Sequence, residues 1–261
     1  MRKYIALARA ALLDAVQEKA EIMIWVLLDT IPVFIMVPLW LANQEKLTTM
    51  TISQIVTYYV VVMIIGRVTE FYFDEEMSDQ VRSGEFSKFL LRPLRFPFAF
   101  IPQTFGRKLF SGVTMIIPML IVIIGVFHRY LVIPTLPGLL FFIPSLFITI
   151  GIRYTLSALA AVGAFFWEQS EALTHARWIL EIVAGGYMLP LSLYPEWLRI
   201  IPDSLPFKYV YYVPVSIFTG AFDLRTTFIN LMGGAIWLVI LLVLTRWTWK
   251  KGLIRYSGVG G

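Results

Sequence analysis

Apolar runs long enough to cross a membrane alternate with short polar segments along the whole chain. They fall over 22–41, 52–70, 109–127, 139–165, 174–193 and 228–248. A run of ~20 apolar residues at ~1.5 Å rise spans a ~30 Å hydrocarbon layer, so the pattern predicts six transmembrane helices. Residues 1–21 differ: Ile5, Ala8, Leu12 and Val16 recur at helical spacing among Arg2, Lys3, Arg9, Asp14, Glu18 and Lys19. That is the pattern of an amphipathic helix lying in the interface. Arg9 and Asp14 interrupt the only apolar core available to a signal peptide, so the N-terminus reads as retained. The fourth run is longer than one perpendicular crossing requires and contains Arg153, which predicts a tilted or broken span.

The longest charged interruption is 74–95, DEEMSDQVRSGEFSKFLLRPLR, which forms a handle between the second and third runs. Ser83 is placed to cap a short helix with Glu85 in its first turn and Lys88 and Arg92 in its last, and Pro93 then stops it. Arg67 and Glu70, one turn apart, suggest that the second span continues towards this handle. Phe86, Phe89 and Leu90 at i, i+3 and i+4 give the short helix an apolar face. Spacing alone leaves two uses for that face: docking a partner, or resting on lipid headgroups or the protein's own helices. At the other end of the chain, the fifth run contains Gly185 and Gly186 and leads into a segment that Pro190, Pro195, Pro202, Pro206 and Pro214 exclude from being one continuous helix. With its Tyr, Trp and Leu content, the segment 194–220 is predicted to form short re-entrant helices at the outer interface.

Composition sharpens this picture. The chain is 58% hydrophobic, with aromatic and charged residues at 15% each, a balance unsuited to a soluble domain of 261 residues. A net charge of +5 has a topological origin. With the N-terminus inside, Lys46, Arg129, Arg199, Lys208 and Arg225 fall outside, Arg153 lies within a span, and all other Lys and Arg residues are cytosolic. The fold class is therefore an all-α integral membrane protein forming a single domain over 1–261, with both termini cytosolic.

Chemistry is sparse. The absence of Cys and the presence of only His128 and His175 leave little for metal or thiol chemistry. No phosphate-binding loop, zinc-protease motif or nucleophile elbow occurs. The charges that stand out are Asp29, Arg153 and Glu181, each inside a predicted span, where an ion needs a partner or a wet cavity. Arg153 is expected to pair with Asp29 or Glu181. Tyr58, Tyr59, Phe141, Phe142, Phe165, Phe166 and Trp167 are candidates for a cavity lining, although such rings more often pack helices or face lipid.

Six spans, an amphipathic N-terminal helix, VRSGEFSKFLLRPL over 81–94 and PLSLYPEWLRIIPDSLPFKYVYYVPVSIFTG over 190–220 together resemble the permease subunit of a type-2 ABC exporter. The likeness covers essentially the whole chain and is nearest to the daunorubicin-resistance-like and poorly characterised groups. It implies a multi-pass permease of the bacterial cytoplasmic membrane, in which 74–95 is a cytosolic coupling helix and 194–220 the outer hairpin. On that likeness Glu85, Phe86, Lys88, Phe89, Leu90 and Arg92 touch an ABC ATP-binding subunit. The partner subunit carries ATP and Mg, this chain holds no cofactor, and a second permease chain, identical or paralogous, completes the pore. The implied function is export of an amphipathic, drug-like or lipid-linked compound. Two alternatives are an ion- or proton-coupled secondary transporter using Asp29, Arg153 and Glu181, and a membrane scaffold without transport.

Overall fold

A computed structural model describes residues 19–46, 49–71, 73–90, 116–167 and 171–256. Among these every regular element is helical. In order they are α1 (Lys19–Ala42), α2 (Ile52–Thr69), α3 (Phe73–Arg82), α4 (Phe86–Leu90), α5 (Ile116–Tyr130, its last turn a 3-10 turn), α6 (Leu136–Gly163), α7 (Glu171–Ala184), α8 (Glu196–Ser204), α9 (Tyr212–Phe218) and α10 (Leu224–Arg255). Short 3-10 turns at Leu191–Leu193 and Pro206–Tyr209 join the later elements. The expected interfacial helix over 1–21 lies almost entirely outside the described residues, as do the start of the third span and Arg92.

Local chemistry sets the starts of the long helices. Thr51 and Gln54 form a reciprocal capping box at α2, each side chain bonding the other's backbone N–H. Thr135 caps α6 through the Gly138 N–H, with Pro137 in the first turn. Asp223 caps α10 through the Thr226 N–H at 3.0 Å. Those bonds, side-chain and backbone, hold the Asp223 carboxyl below its usual pKa.

Among the described residues three helical stretches are long and apolar enough to cross a membrane: Ile52–Arg82, which the fold divides into α2 and α3, Leu136–Gly163 and Leu224–Arg255. Shorter apolar helices cover Thr30–Ala42 and Ile116–Tyr130. Burial separates the long ones. Some 61% of the apolar window in the first stretch is enclosed by protein, against 17% in α10, so α2 is a core helix and α10 a peripheral one. Phe228, Met232, Ile236, Val239 and Val243 of α10 are more than half exposed or at half, a surface suited to hydrocarbon. At ~1.5 Å per residue α10 is about 48 Å long, more than a ~30 Å hydrocarbon layer needs, so one end projects beyond it. The C-terminal end bears Lys250, Lys251 and Arg255.

Around α2 lie α1, α6, α9 and the turn ending α5. The core there joins Ile55, Tyr58, Val62 and Ile65 to Ile152 of α6 and Val213 and Ile217 of α9. The later part of the proline-rich segment is packed into the protein's own interior, with Tyr212 to Ile217 all buried, whereas Trp197, Ile200 and Ile201 of α8 are exposed. Upstream of it, Tyr58 and Tyr59 tie down the turn after α7. Their hydroxyls donate to the Gly186 and Met188 carbonyls at 2.6 and 2.9 Å. The helix expected over 174–193 ends at Ala184 for the same reason. Gly186 takes φ +87°, and a Cβ there would lie 2.7 Å from the Tyr58 hydroxyl.

Candidate functional site

α3 is an amphipathic helix whose Phe73, Met77 and Val81, at i, i+4 and i+8, turn inward. Asp74 shares that buried side and is 0% exposed. A lone carboxylate there would be expelled or neutralised, yet it is fully partnered. The Ser157 hydroxyl of α6 donates to Oδ1 at 2.9 Å, and Arg177 Nη2 of α7 donates to Oδ2 at 3.0 Å. Arg177 Nη1 reaches Glu181 Oε1, one turn along α7, at 2.6 Å. Glu181 Oε2 in turn receives Arg153 Nε at 3.0 Å and Nη2 at 2.9 Å. Arg153 then spends Nη1 on the Gly66 carbonyl and the Thr69 hydroxyl, both at the end of α2. The Tyr211 ring lies 5.4 Å from its guanidinium.

The result is a row of alternating charge, Asp74, Arg177, Glu181 and Arg153, that sums to zero and ties α3 to α7, α6 and α2. Of the two partners expected for Arg153, Glu181 is the one it meets. The Asp29 side chain lies outside the described residues.

The handle is fastened to the body a second time, by aromatic rings. Gly84, at φ +75°, reverses the chain after α3, and the Tyr256 hydroxyl bonds its carbonyl at 3.3 Å. Phe86 is fully buried, with ring centroids of Phe165, Tyr256 and Trp249 at 5.5, 5.6 and 6.0 Å. This corrects the sequence reading of Phe86 as a side chain projecting into a partner's groove: its ring packs on the ends of α6 and α10 of its own chain. Ser83 is also not the cap of the short helix. Its hydroxyl returns to the Gln80 carbonyl at the end of α3, because Gly84 rather than Ser83 makes the turn. A surface pair, Arg82 with Glu171 at 2.6 Å, adds a third tie to the start of α7.

The other handle residues named from the sequence face outward. Glu85 and Lys88 pair at 2.8 Å on the surface, and the hydrogen bond and charge of Lys88 hold the Glu85 carboxyl below its ordinary pKa. Leu90 is 43% exposed. The Phe89 side chain and all of Arg92 lie outside the described residues.

Beside the charge row, between α2, α3 and α7, opens a cavity of about 420 Å³ whose walls include Glu70, Glu75, His175, Trp178, Tyr187 and Tyr211. None of the seven aromatic residues singled out from the sequence as lining candidates is in its wall. Tyr58 and Tyr59 hold the turn after α7, and Phe165 packs on Phe86. Among the described residues no group of three or more His, Asp or Glu side chains is placed to hold a metal ion.

Sequence reasoning missed Asp74 and Arg177, which it placed among solvated charges. The signal was present in the Phe73, Met77, Val81 stripe, which puts Asp74 on the inner side, and in the i, i+4 spacing of Arg177 and Glu181. Against known proteins, the family model of the ABC-2 family transporter proteins matches residues 27–260, nearly the whole chain. No curated protein and no solved structure matches. A chain of apolar helices, with a charged segment braced against its helical core and a family match over that length, belongs to the ABC-2 family of ABC-transporter membrane proteins, multi-pass permeases without an ATPase site of their own.

Proposed function

We propose that the chain is the permease subunit of an ATP-driven exporter. It works with a second permease chain, identical or paralogous, and with separate ABC subunits that bind ATP and Mg. Six spans in the bacterial cytoplasmic membrane place both termini and the 74–95 handle in the cytosol. The substrate is an amphipathic compound taken from the cytoplasm or the inner leaflet. Glu85, Lys88 and Leu90, with Phe89 and Arg92, make the contact with the ATPase, while Phe86 anchors the handle from within.

The observation that carries this reading is the triple bracing of the handle: the Asp74 to Arg177 ion pair, the ring cluster around Phe86, and the Arg82 to Glu171 pair. A loop that merely rested on lipid would have no use for a buried charge row leading to α2 and α6. A push on the exposed side of α4 reaches α3, α7, α6 and α10 without passing through a soft joint. By contrast, the alternative of an ion-coupled carrier needs charges free to change partners, and Arg153 and Glu181 are each held by at least two groups.

Purification in mild detergent with native lipid tests the proposal. An ATPase subunit should co-purify in fixed ratio, and inside-out vesicles should accumulate substrate only with ATP. A chain that stays ATPase-free, with uptake driven by a proton or sodium gradient, would overturn it.

A further inference from the structure

The cavity between α2, α3 and α7 has an unusual charge balance. Arg177, one of its walls, is consumed by Asp74 and Glu181, and Arg67 is itself engaged within the chain. Arg153 lies within electrostatic reach of Glu70 but is held by Glu181, Gly66 and Thr69. Two carboxylates are left without an ion pair, Glu75 lying within electrostatic reach of His175 and Arg177. Among the described residues neither Glu70, at the end of α2, nor Glu75, on the outer side of α3, has a salt bridge or side-chain hydrogen bond.

The rest of the wall combines Met63 and Ile182 with aromatic and polar groups. Trp178, half exposed, and Tyr187, stacked edge-on to Tyr211 at 5.3 Å, offer ring surface. Thr174 is 6% exposed and lines the same cavity, and its hydroxyl has no hydrogen-bond partner among the described residues. A buried hydroxyl without a partner is costly, which points to a ligand that supplies one. The volume of about 420 Å³ lies within the range of small-molecule sites.

We infer that this cavity binds an organic ammonium compound, with Glu70 and Glu75 facing the cationic nitrogen, Trp178 and Tyr187 taking its apolar or aromatic body, and the Thr174 hydroxyl contacting a polar substituent. Carboxylates attract the charge, and ring faces add cation–π attraction where water is partly excluded. The ammonium belongs either to a free organic cation or to an amine-bearing lipid headgroup. This inference rests on the permease reading and gives its substrate a charge.

Binding of rhodamine 6G, an aromatic cation, to the purified full-length chain tests it without any ATPase. The chain is held in nanodiscs of phosphatidylglycerol, which has no ammonium group, and fluorescein serves as the anionic control. The expected result is saturable rhodamine binding and none of fluorescein. Glu70→Gln should weaken binding about tenfold, the loss of one partly desolvated charge contact worth about 1.4 kcal/mol. Trp178→Ala should weaken it as well, and Glu196→Gln, at the exposed start of α8 and outside the cavity wall, should leave it unchanged.

Displacement of the dye by added phosphatidylethanolamine assigns the site to a lipid headgroup, and its absence assigns it to a free cation. Equal binding of both dyes, or unchanged affinity in Glu70→Gln, overturns the inference. Should Glu70→Gln fail to fold, Glu75→Gln at its exposed position carries the same test. The permease reading fails separately: rhodamine binding that depends on Glu70 but no ATP-driven movement in vesicles retains the site and removes the exporter. ATP-driven movement indifferent to Glu70 does the reverse.

Discussion

α2 is tied at one place to α7 and at another to the turn that follows α7, by different chemistry. Near the handle the ties are ionic: Arg153 bridges the α2 terminus to Glu181, and Arg177 carries the row on to Asp74. At the opposite end they are neutral, from Tyr58 and Tyr59 to the Gly186 and Met188 carbonyls, with Trp40 of α1 donating to the Tyr59 hydroxyl at 3.2 Å. Hydroxyl-to-carbonyl bonds are worth about 0.5 to 1.5 kcal/mol each and tolerate small shifts. A buried row of ions is less forgiving, since displacing one member strands its neighbour in low dielectric. The handle-side junction is therefore all-or-none, and the far junction is a set of separable contacts.

The sharpest way to break this contrast is to remove one ion. Glu181→Leu leaves Arg153 buried with only neutral partners and should lower stability by about 3 to 5 kcal/mol, measured by thermal unfolding in detergent. Adding Arg153→Met should restore much of that loss, because no buried charge is then unpaired on that side. Additive losses would show that the row is not coupled. At the far junction, Tyr58→Phe should cost only about 1 kcal/mol in the same assay and should not alter the effect of Glu181→Leu. Smallest of all, Arg82→Ala removes an exposed pair with Glu171 and should change stability by less than about 1 kcal/mol.

Much of this was legible in the residues, but unevenly. Apolar runs marked long helices because membrane-length hydrophobicity is a one-dimensional signal; Leu136–Gly163 and Leu224–Arg255 overlap the runs read at 139–165 and 228–248, the latter extending beyond its run at both ends. The prolines from Pro190 on foretold an irregular segment, but the break comes earlier, at Gly185 and Gly186, inside the run expected to be helical over 174–193. What the pattern did not reveal is which polar residues turn inward. Asp74 and Phe86 sit in a segment whose composition is that of a solvated loop, yet both are completely buried, because a charge can be enclosed when helices distant in sequence bring partners to it. Those partners, Ser157 and Arg177, lie 83 and 103 residues away. Pairing of Arg153 with Glu181 was foreseeable because both ions interrupt apolar runs; the cavity beside them was not, since Glu70, Trp178 and Tyr187 come from separate elements.

The central claim is that the handle and α7 move as one body when ATP is hydrolysed. The chain has no cysteine, so Arg82→Cys with Glu171→Cys introduces a unique pair at a contact already 2.6 Å across in the native side chains. A short, cleavable bifunctional thiol reagent then locks α3 to the start of α7 in the assembled transporter. ATP-driven transport by vesicles before and after locking is the measurement. The account predicts that the locked transporter runs at the rate of the unlocked one. Arrest on crosslinking, relieved when the linker is cut, would mean that the handle must swing against α7 to work, and would contradict it.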